Sequence, residues 1–564
     1  MKHLKTIPAL LLALMMALGC LAGCSGQTGG ETTTAATAPA AVQPQETEAE
    51  GNHHVELLRV GLTRANDTFN MTTQGGAFGL MNYNSFCAGL FWERDENGDV
   101  QPGAIESFAI SDDDRTISIT IPENLYWHDG VPVTLDDIQF TFEYGRDVLL
   151  SSSLANITEI RREGDRTIHI TFNEQTSAFA FVNGQTTWAK IYPKHIWENV
   201  EKPSEYTGAD ATIGCGPYRF VSVDQDAQIS YYEAVDNYWK GELTVDKVSV
   251  KTYASAEALV MALKNDEIDA IYNYSGPIAS TLFPTIEGDA NLDLGISPDP
   301  GNYMLMFGYN EAPSNDLAFR QAVSYAMNYD VFGATLYGDY YYTPTRGVIA
   351  SPNMGYDGSL GELTYSPEKA REILDAAGYL DVDGDGYRED PQGNAMDVLI
   401  TPQYNTSRQE LLARLAAILA DNLAKVGIKT TLDEESMTSR EAWSARAENG
   451  GTYQLYLGYC TSGIASYIGA PMYIVNYTET GWWGTWQDPE YLDAYHAVKA
   501  VNNFDDYKAA MRELQRIISE QLPAISFAFG TSSFPYRTDR YEGWINYPGW
   551  GVINNKTWYQ TVTK

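Results

Sequence analysis

Hydrophobic and polar positions between Gly214 and Ile271 fall into a readable order. After a Gly-Cys-Gly-Pro turn at Gly214 to Pro217, residues 218–223 and 228–232 are rich in aromatic and β-branched side chains and predict two strands. An aromatic turn, Asn237 to Gly241, leads into a third alternating run from Lys247 to Lys251. Ser255 then precedes Ala256, Leu259, Val260 and Leu263, whose spacing predicts a capped helix with a single buried stripe. Ile268 to Ile271 is apolar again, so residues 247–271 read as one βαβ unit.

The same reading extends in both directions. Val55 to Gly61 and Thr116 to Ile121 alternate with period two and predict strands, while Leu90 to Arg94 ends a helix or strand before a polar turn. Thr134 and Asp137 stand at capping-box spacing. Further on, Tyr303 to Tyr309 predicts a strongly apolar strand, followed by a helix with Phe319, Ala322, Val323, Ala326 and Met327 on one face. Ser366-Pro367 starts a helix that Gly378 ends. Ser407 with Glu410 starts another, burying Leu411, Leu415, Ile418 and Leu419 and ending at Gly427. A last helix over about 505–522 precedes the apolar run Ile525 to Phe529. Pro277, Pro284, Pro298 and Pro300 punctuate a stretch suited to crossing between lobes.

Three phrases in this order, Gly-x-Gly-Pro-Tyr at 214–218, Asn-x-Tyr-Trp-x-Gly at Asn237 to Gly241 with one spacing change, and Ala-Leu-x-x-x-Glu-Ile-Asp at 262–269, resemble the peptide/nickel-type solute-binding proteins that feed ABC importers. Ser111-Asp112-Asp113-x-x-Thr116, Trp127-x-Asp129-Gly130-x-Pro132-Val133-Thr134 and Asp316-x-x-x-Arg320-Gln321-Ala322-Val323 extend the resemblance. It implies an α/β fold of the periplasmic-binding-protein type II (cluster C) kind, with two large lobes, a small third lobe and a hinge between lobes. The expected division is a signal peptide over 1–23, a tether over 24–54, lobe I from 55–92, 210–300 and 531–564, an inserted lobe II over 93–209, and lobe III over 301–530. Function follows as capture of an oligopeptide-like solute and delivery to an ABC permease, by a protein expected to act as a monomer and to be no enzyme.

The N-terminus sharpens the address. Lys2, His3 and Lys5 precede an apolar run from Ile7 to Leu18, too short to span a bilayer, and Leu21-Ala22-Gly23-Cys24 follows. That ending resembles a bacterial lipobox and implies lipidation at Cys24, which would anchor the protein at the extracytoplasmic face of the cell membrane. Residues 25–52 hold no aromatic residue, no Lys and no Arg, and predict a flexible tether. A formal net charge of −37 excludes nucleic acid as a partner, because phosphates demand a basic surface. Cys87, Cys215 and Cys460 are too few and too far apart for a disulfide framework.

Catalytic motifs are missing: the chain holds no Gly-x-Ser-x-Gly, His-Glu-x-x-His or Cys-x-x-Cys, and no Gly-rich phosphate loop with lysine. His128, His169, His195 and His496 lie in unrelated contexts and are expected to be structural or exposed. No cofactor is expected beyond a structural calcium ion, for which Asp381, Asp383 and Asp385 occupy positions 1, 3 and 5 of a calcium loop with Asp390 nearby, although Gln392 stands where a bidentate Glu would be. The competing reading is a polar surface turn.

A ligand wall is expected at Tyr456, Tyr459, Thr461 and Ser462, with Trp443, Tyr467, Trp482 and Trp483 in the same region and Gln74, Tyr83 and Asn84 opposite. In the resembling family an aspartate that holds a peptide's free amine often stands three residues after the Gly-aromatic pair. Here that position is Ser462, which supplies no countercharge. Neutral oligosaccharide is therefore the alternative ligand, and a surface glycoside hydrolase with two carboxylates flanking a cleft is the alternative of another class.

Overall fold

The structure, a computed structural model, describes residues 53–63, 70–72, 87–96, 99–185, 189–272, 278–351, 353, 355–406, 408–448, 451–460, 485–547 and 551–564. The chain divides into Met1–His53 and a compact unit His54–Lys564, which holds all the sheets and cores that follow.

A seven-stranded sheet has at its centre the strand Leu58–Leu62, parallel to Lys247–Thr252 on one side and to Ala270–Ile271 on the other. The expected βαβ unit is present, with the Leu58 strand lying between its two strands. Its helix, Ala256–Lys264, is capped by Ser255, whose side chain accepts from the Ala258 N–H, and it buries Leu259, Val260 and Leu263. Ile229–Ala234 and Tyr218–Asp224 complete one edge of the sheet, antiparallel to their neighbours, as the sequence pattern predicts.

Asp269, the last residue of the Glu-Ile-Asp phrase, is completely buried beneath this sheet. Arg59 grips its carboxylate through Nε and Nη2 at 3.0 and 2.7 Å, the Arg59 N–H donates to the same carboxylate at 2.8 Å, and the Asp269 N–H donates to the Arg59 carbonyl. A buried carboxylate needs such a partner, which explains why this short phrase ends in an acid.

A four-stranded antiparallel sheet, in the order Ser107–Ile110, Thr116–Thr120, Thr167–Phe172, Ile157–Glu163, forms a separate layer. Ile117 and Ile119 face inward, and Leu135, Ile138 and Phe142 of the helix Leu135–Asp147 share their core. The predicted capping box is formed: Asp137 accepts from the Thr134 N–H while the Thr134 side chain caps the first turn.

Two of the recognised phrases meet at one joint. The Gly214 N–H donates to Nδ1 of His128, so Nε2 carries the proton and donates to the Gly216 carbonyl at 3.0 Å. The His128 N–H bonds the Gly214 carbonyl at 2.9 Å. Burial pushes the pKa of this imidazole down to about 4. His128 is a structural pin between the Trp-x-Asp-Gly turn and the Gly-Cys-Gly-Pro turn, as expected of a non-ligand histidine. Cys215, inside the second turn, is a free buried thiol, as is Cys87.

The third sheet has six strands, in the order Tyr341–Tyr342, Ala524–Ser533, Ile296–Phe307, Leu455–Cys460, Val398–Pro402, Thr430–Leu432. Alternation divides its side chains between two cores. Tyr303, Leu305, Leu455 and Leu457 pack with the helices Leu317–Ala326, Pro367–Ala376 and Gln409–Ala424. Met304, Met306 and Tyr456 pack with Pro489–Ala500 and Phe504–Gln521. Phe179, from the four-stranded layer's helix Ala178–Gln185, joins this second core with its ring 5.1 Å from that of Phe504.

Three elements differ from their expected form. The strand predicted at Tyr303 begins at Ile296, because Ile296 to Pro298 pair with Ser533 to Thr531; of the punctuating prolines Pro298 and Pro300 fall within this strand, Pro284 falls in the short helix Phe283–Ile286, and Pro277 lies outside the described residues. In the Gln409 helix the buried face is Leu412, Leu415, Ala416, Leu419 and Leu423, with Leu411 and Ile418 at its margin. Contacts with both the neighbouring sheet and the helices Leu317–Ala326 and Tyr329–Tyr337 widen the buried stripe beyond what spacing alone gives. Leu90–Arg94 resolves into a strand, Trp92–Arg94, paired with Val100–Pro102.

Candidate ligand-binding site

Two adjacent strands carry the chain between the seven-stranded and six-stranded sheets. Ile296–Phe307 and Ala524–Ser533 pair from Ile296/Ser533 to Met306/Ala524, while just outside them Leu292 and Asp293 pair with Arg537 and Tyr536 in the other sheet. Where this pair enters the six-stranded sheet, the chain assembles charge and aromatic surface together.

Tyr303 lies opposite Tyr459 on the neighbouring strand, with ring centroids 4.8 Å apart. Arg408, immediately before the Gln409 helix, lays its guanidinium over the Tyr459 ring at 4.0 Å, within cation–π range. Gln403 fixes the Tyr459 backbone, its side-chain oxygen accepting from the Tyr459 N–H at 3.1 Å. Gly301 allows the contact, since a Cβ there would stand 2.5 Å from the Tyr459 hydroxyl.

Asp299 sits in the bulge of the crossing strand. Its carboxylate accepts from the Gly301 N–H at 2.7 Å and from the Ser532 hydroxyl at 3.1 Å, so it ties the two crossing strands together. Burial raises its pKa, and the two hydrogen bonds and the Arg408 charge oppose that rise. Burial likewise raises Tyr303, against the Arg408 charge. Asp299's hydrogen-bond partners are a backbone amide and a hydroxyl, with the Arg408 charge nearby, and among the described residues no second carboxylate is paired with it as glycoside hydrolysis would need. Planar cation, aromatic faces and one acid thus lie together where the strands cross.

Of the expected ligand residues, Tyr459 belongs to this surface. Tyr456 and Trp443 do not: both are buried in the core beside Tyr453 and Met306, as is Trp486. Period two explains Tyr456, which points to the opposite face from Tyr459. Gln74, Tyr83, Asn84, Thr461, Ser462, Tyr467, Trp482 and Trp483 lie outside the described residues, as does Cys24. Asp381, Asp383 and Asp385 bring their carboxylate oxygens within 4.8 Å of one another on the surface. Asp390 is not with them: it turns its carboxylate back to the N–H groups of Gln392 and Asn394.

Arg408, Asp299 and Gln403 escaped the sequence reading. A faint signal existed for Arg408, because a cation directly before a helix opposes the helix dipole and asks for another reason to be there.

The descriptor of bacterial extracellular solute-binding proteins, family 5 Middle, matches residues 99–485. A Brucella ovis protein named for ABC-transporter peptide binding is 28% identical over 338 residues, which cover 57% of this chain and 58% of that protein's length. Among solved structures, HbpA2 from Haemophilus parasuis superposes with a TM-score of 0.76 at 18% identity, covering 90% of this chain and all of the other (100%). A Thermotoga maritima periplasmic oligopeptide-binding protein solved with mannohexaose gives 0.58 at 21% identity, covering 92% of this chain and 100% of its own.

Proposed function

This chain belongs to the bacterial extracellular solute-binding proteins of family 5, and from that premise we propose that it captures an oligopeptide-like solute on the Arg408–Tyr459 surface and delivers it to an ABC importer permease. Lipidation at Cys24 would hold it at the extracytoplasmic face while it does so. The observation that carries the reading is the pairing of one fixed cation with one acid across aromatic faces, where the chain crosses between two sheets. A peptide presents charge of both signs along a polar backbone. Arg408 and Asp299 supply the two complements, which compensates for the missing aspartate at position 462. The match to peptide-binding relatives supports the same class.

Neutral oligosaccharide is a second reading, favoured by one observation: a protein of this fold was solved with mannohexaose. Aromatic faces stack on sugar rings as readily as on peptide side chains. Tryptophan fluorescence separates the two. A tri- to pentapeptide pool is expected to shift the emission of the intact protein, with Arg408→Ala and Tyr459→Ala weakening binding at least about tenfold, the scale of a desolvated cation–π or charged contact. A response to manno-oligosaccharides alone would transfer the assignment to sugars, and silence to both pools would end the proposal.

A further inference from the structure

Sharing no lining residue with the Arg408–Tyr459 surface, a cavity of about 780 Å³ opens beside the helix Leu135–Asp147. Its floor is buried and aromatic, formed by Phe91, Phe142 and Phe181, and its rim is half-open at Ser151 and Ser153, with Val148 47% exposed. At the floor lies Lys190, only 2% exposed. Its backbone is held in place by neighbouring bonds from Phe91 to Ala189 and from Ile191 to Gly89.

Lys190 is an unusual residue to find there. An ammonium has three donors, and Nζ makes one hydrogen bond, to the Met71 carbonyl at 3.0 Å. Among the described residues no carboxylate pairs with it, and burial alone pushes its pKa down to about 8. A buried cation with one carbonyl partner and no countercharge is costly to keep. A volume of this size, with phenylalanine faces, the hydroxyls of Thr72, Thr141, Ser151, Ser153 and Ser204, and one charged group in its lining, is what small-molecule sites offer.

We propose that this cavity is a second ligand site, taking a small molecule with an apolar body and a carboxylate head, the head received by Lys190 and the body by the phenylalanine floor. The site shares no residue with the solute surface and does not depend on what that surface binds. Phosphate-headed ligands are disfavoured, because one ammonium with a single carbonyl neighbour cannot satisfy three anionic oxygens.

Sodium decanoate is the probe, titrated into the intact protein by calorimetry, with decanol as the uncharged control. Expected is saturable 1:1 binding of decanoate, at least tenfold tighter than decanol. Lys190→Met should lose at least tenfold for decanoate and leave decanol unchanged. Gly184→Leu is designed to block the cavity: Gly184 lines it, and a Cβ there meets nothing within 4 Å, so the new side chain starts in open space. It should abolish both interactions while the urea midpoint stays within error of the parent, and it carries the test even if Lys190→Met does not fold. No decanoate binding, equal binding of decanol, or binding unchanged in either variant would overturn the proposal.

Discussion

Acidification should act on the joint held by His128. The imidazole is neutral in the fold, with one nitrogen accepting from Gly214 and the other donating to Gly216. Its folded pKa, about 4, lies below the 6.5 of a free histidine. The unfolded chain therefore takes up a proton first, so the stabilisation is whole above pH 6.5 and is lost as pH falls from 6.5 towards 4. At pH 5 the chain stands 1.5 pH units below the free value, and at about 1.4 kcal/mol per unit the cost is about 2 kcal/mol. Solvent reaching the edge of the half-buried ring brings the expected range to about 1–2 kcal/mol.

The perturbation that isolates this effect is His128→Asn, which can still donate to one carbonyl and accept from one amide but cannot titrate. Urea unfolding at pH 7.5 and pH 5.0 should show the parent losing about 1–2 kcal/mol more than the variant between the two conditions, whatever the variant's absolute stability. All other titrating groups are shared and cancel in that difference. Equal losses in the two proteins would refute the neutral, backbone-pinned imidazole.

Asp269→Ala leaves Arg59 and Arg540 facing an empty buried position and should cost about 3–5 kcal/mol, read from the urea midpoint. Cys87 and Cys215 are buried and burial raises both thiols, so iodoacetamide followed by peptide mass spectrometry should find neither alkylated in the native protein and both alkylated in urea. Gly530→Ala would place a Cβ 2.3 Å from the Tyr337 ring, and an expected loss of about 1–3 kcal/mol can be read by thermal unfolding.

Much of the fold was legible because its elements are amphipathic with clean periods. The Ala256 helix, the Thr134 capping box and the strands at residues 116–121 and 218–223 each announce themselves through local spacing. The recognised phrases are legible for a different reason: His128 and Asp269 satisfy backbone and charge at joints where few alternatives fit. The site was harder. Period two at Leu455 to Cys460 could have separated Tyr459 from Tyr456, but an aromatic-rich strand with helices on both faces buries rings on each side, and composition does not say which face meets solvent. Arg408 and Asp299 come together only through pairing between strands far apart in the chain, Asn302 with Cys460, which no local pattern encodes. The Lys190 cavity is of the same kind, a single lysine whose isolation exists only in three dimensions.

A hydrogen-bonded ribbon flexes where its rungs are missing. Between Pro298 and Asn302 the crossing pair sets three residues on one strand against Gly530 alone on the other, and among the described residues the side-chain tie over that gap is the Asp299–Ser532 bond. Whatever touches Asp299 thus also loads the softest point of the connection. On the proposed reading, a solute that engaged that carboxylate would pull on the same gap through which the two sheets are joined.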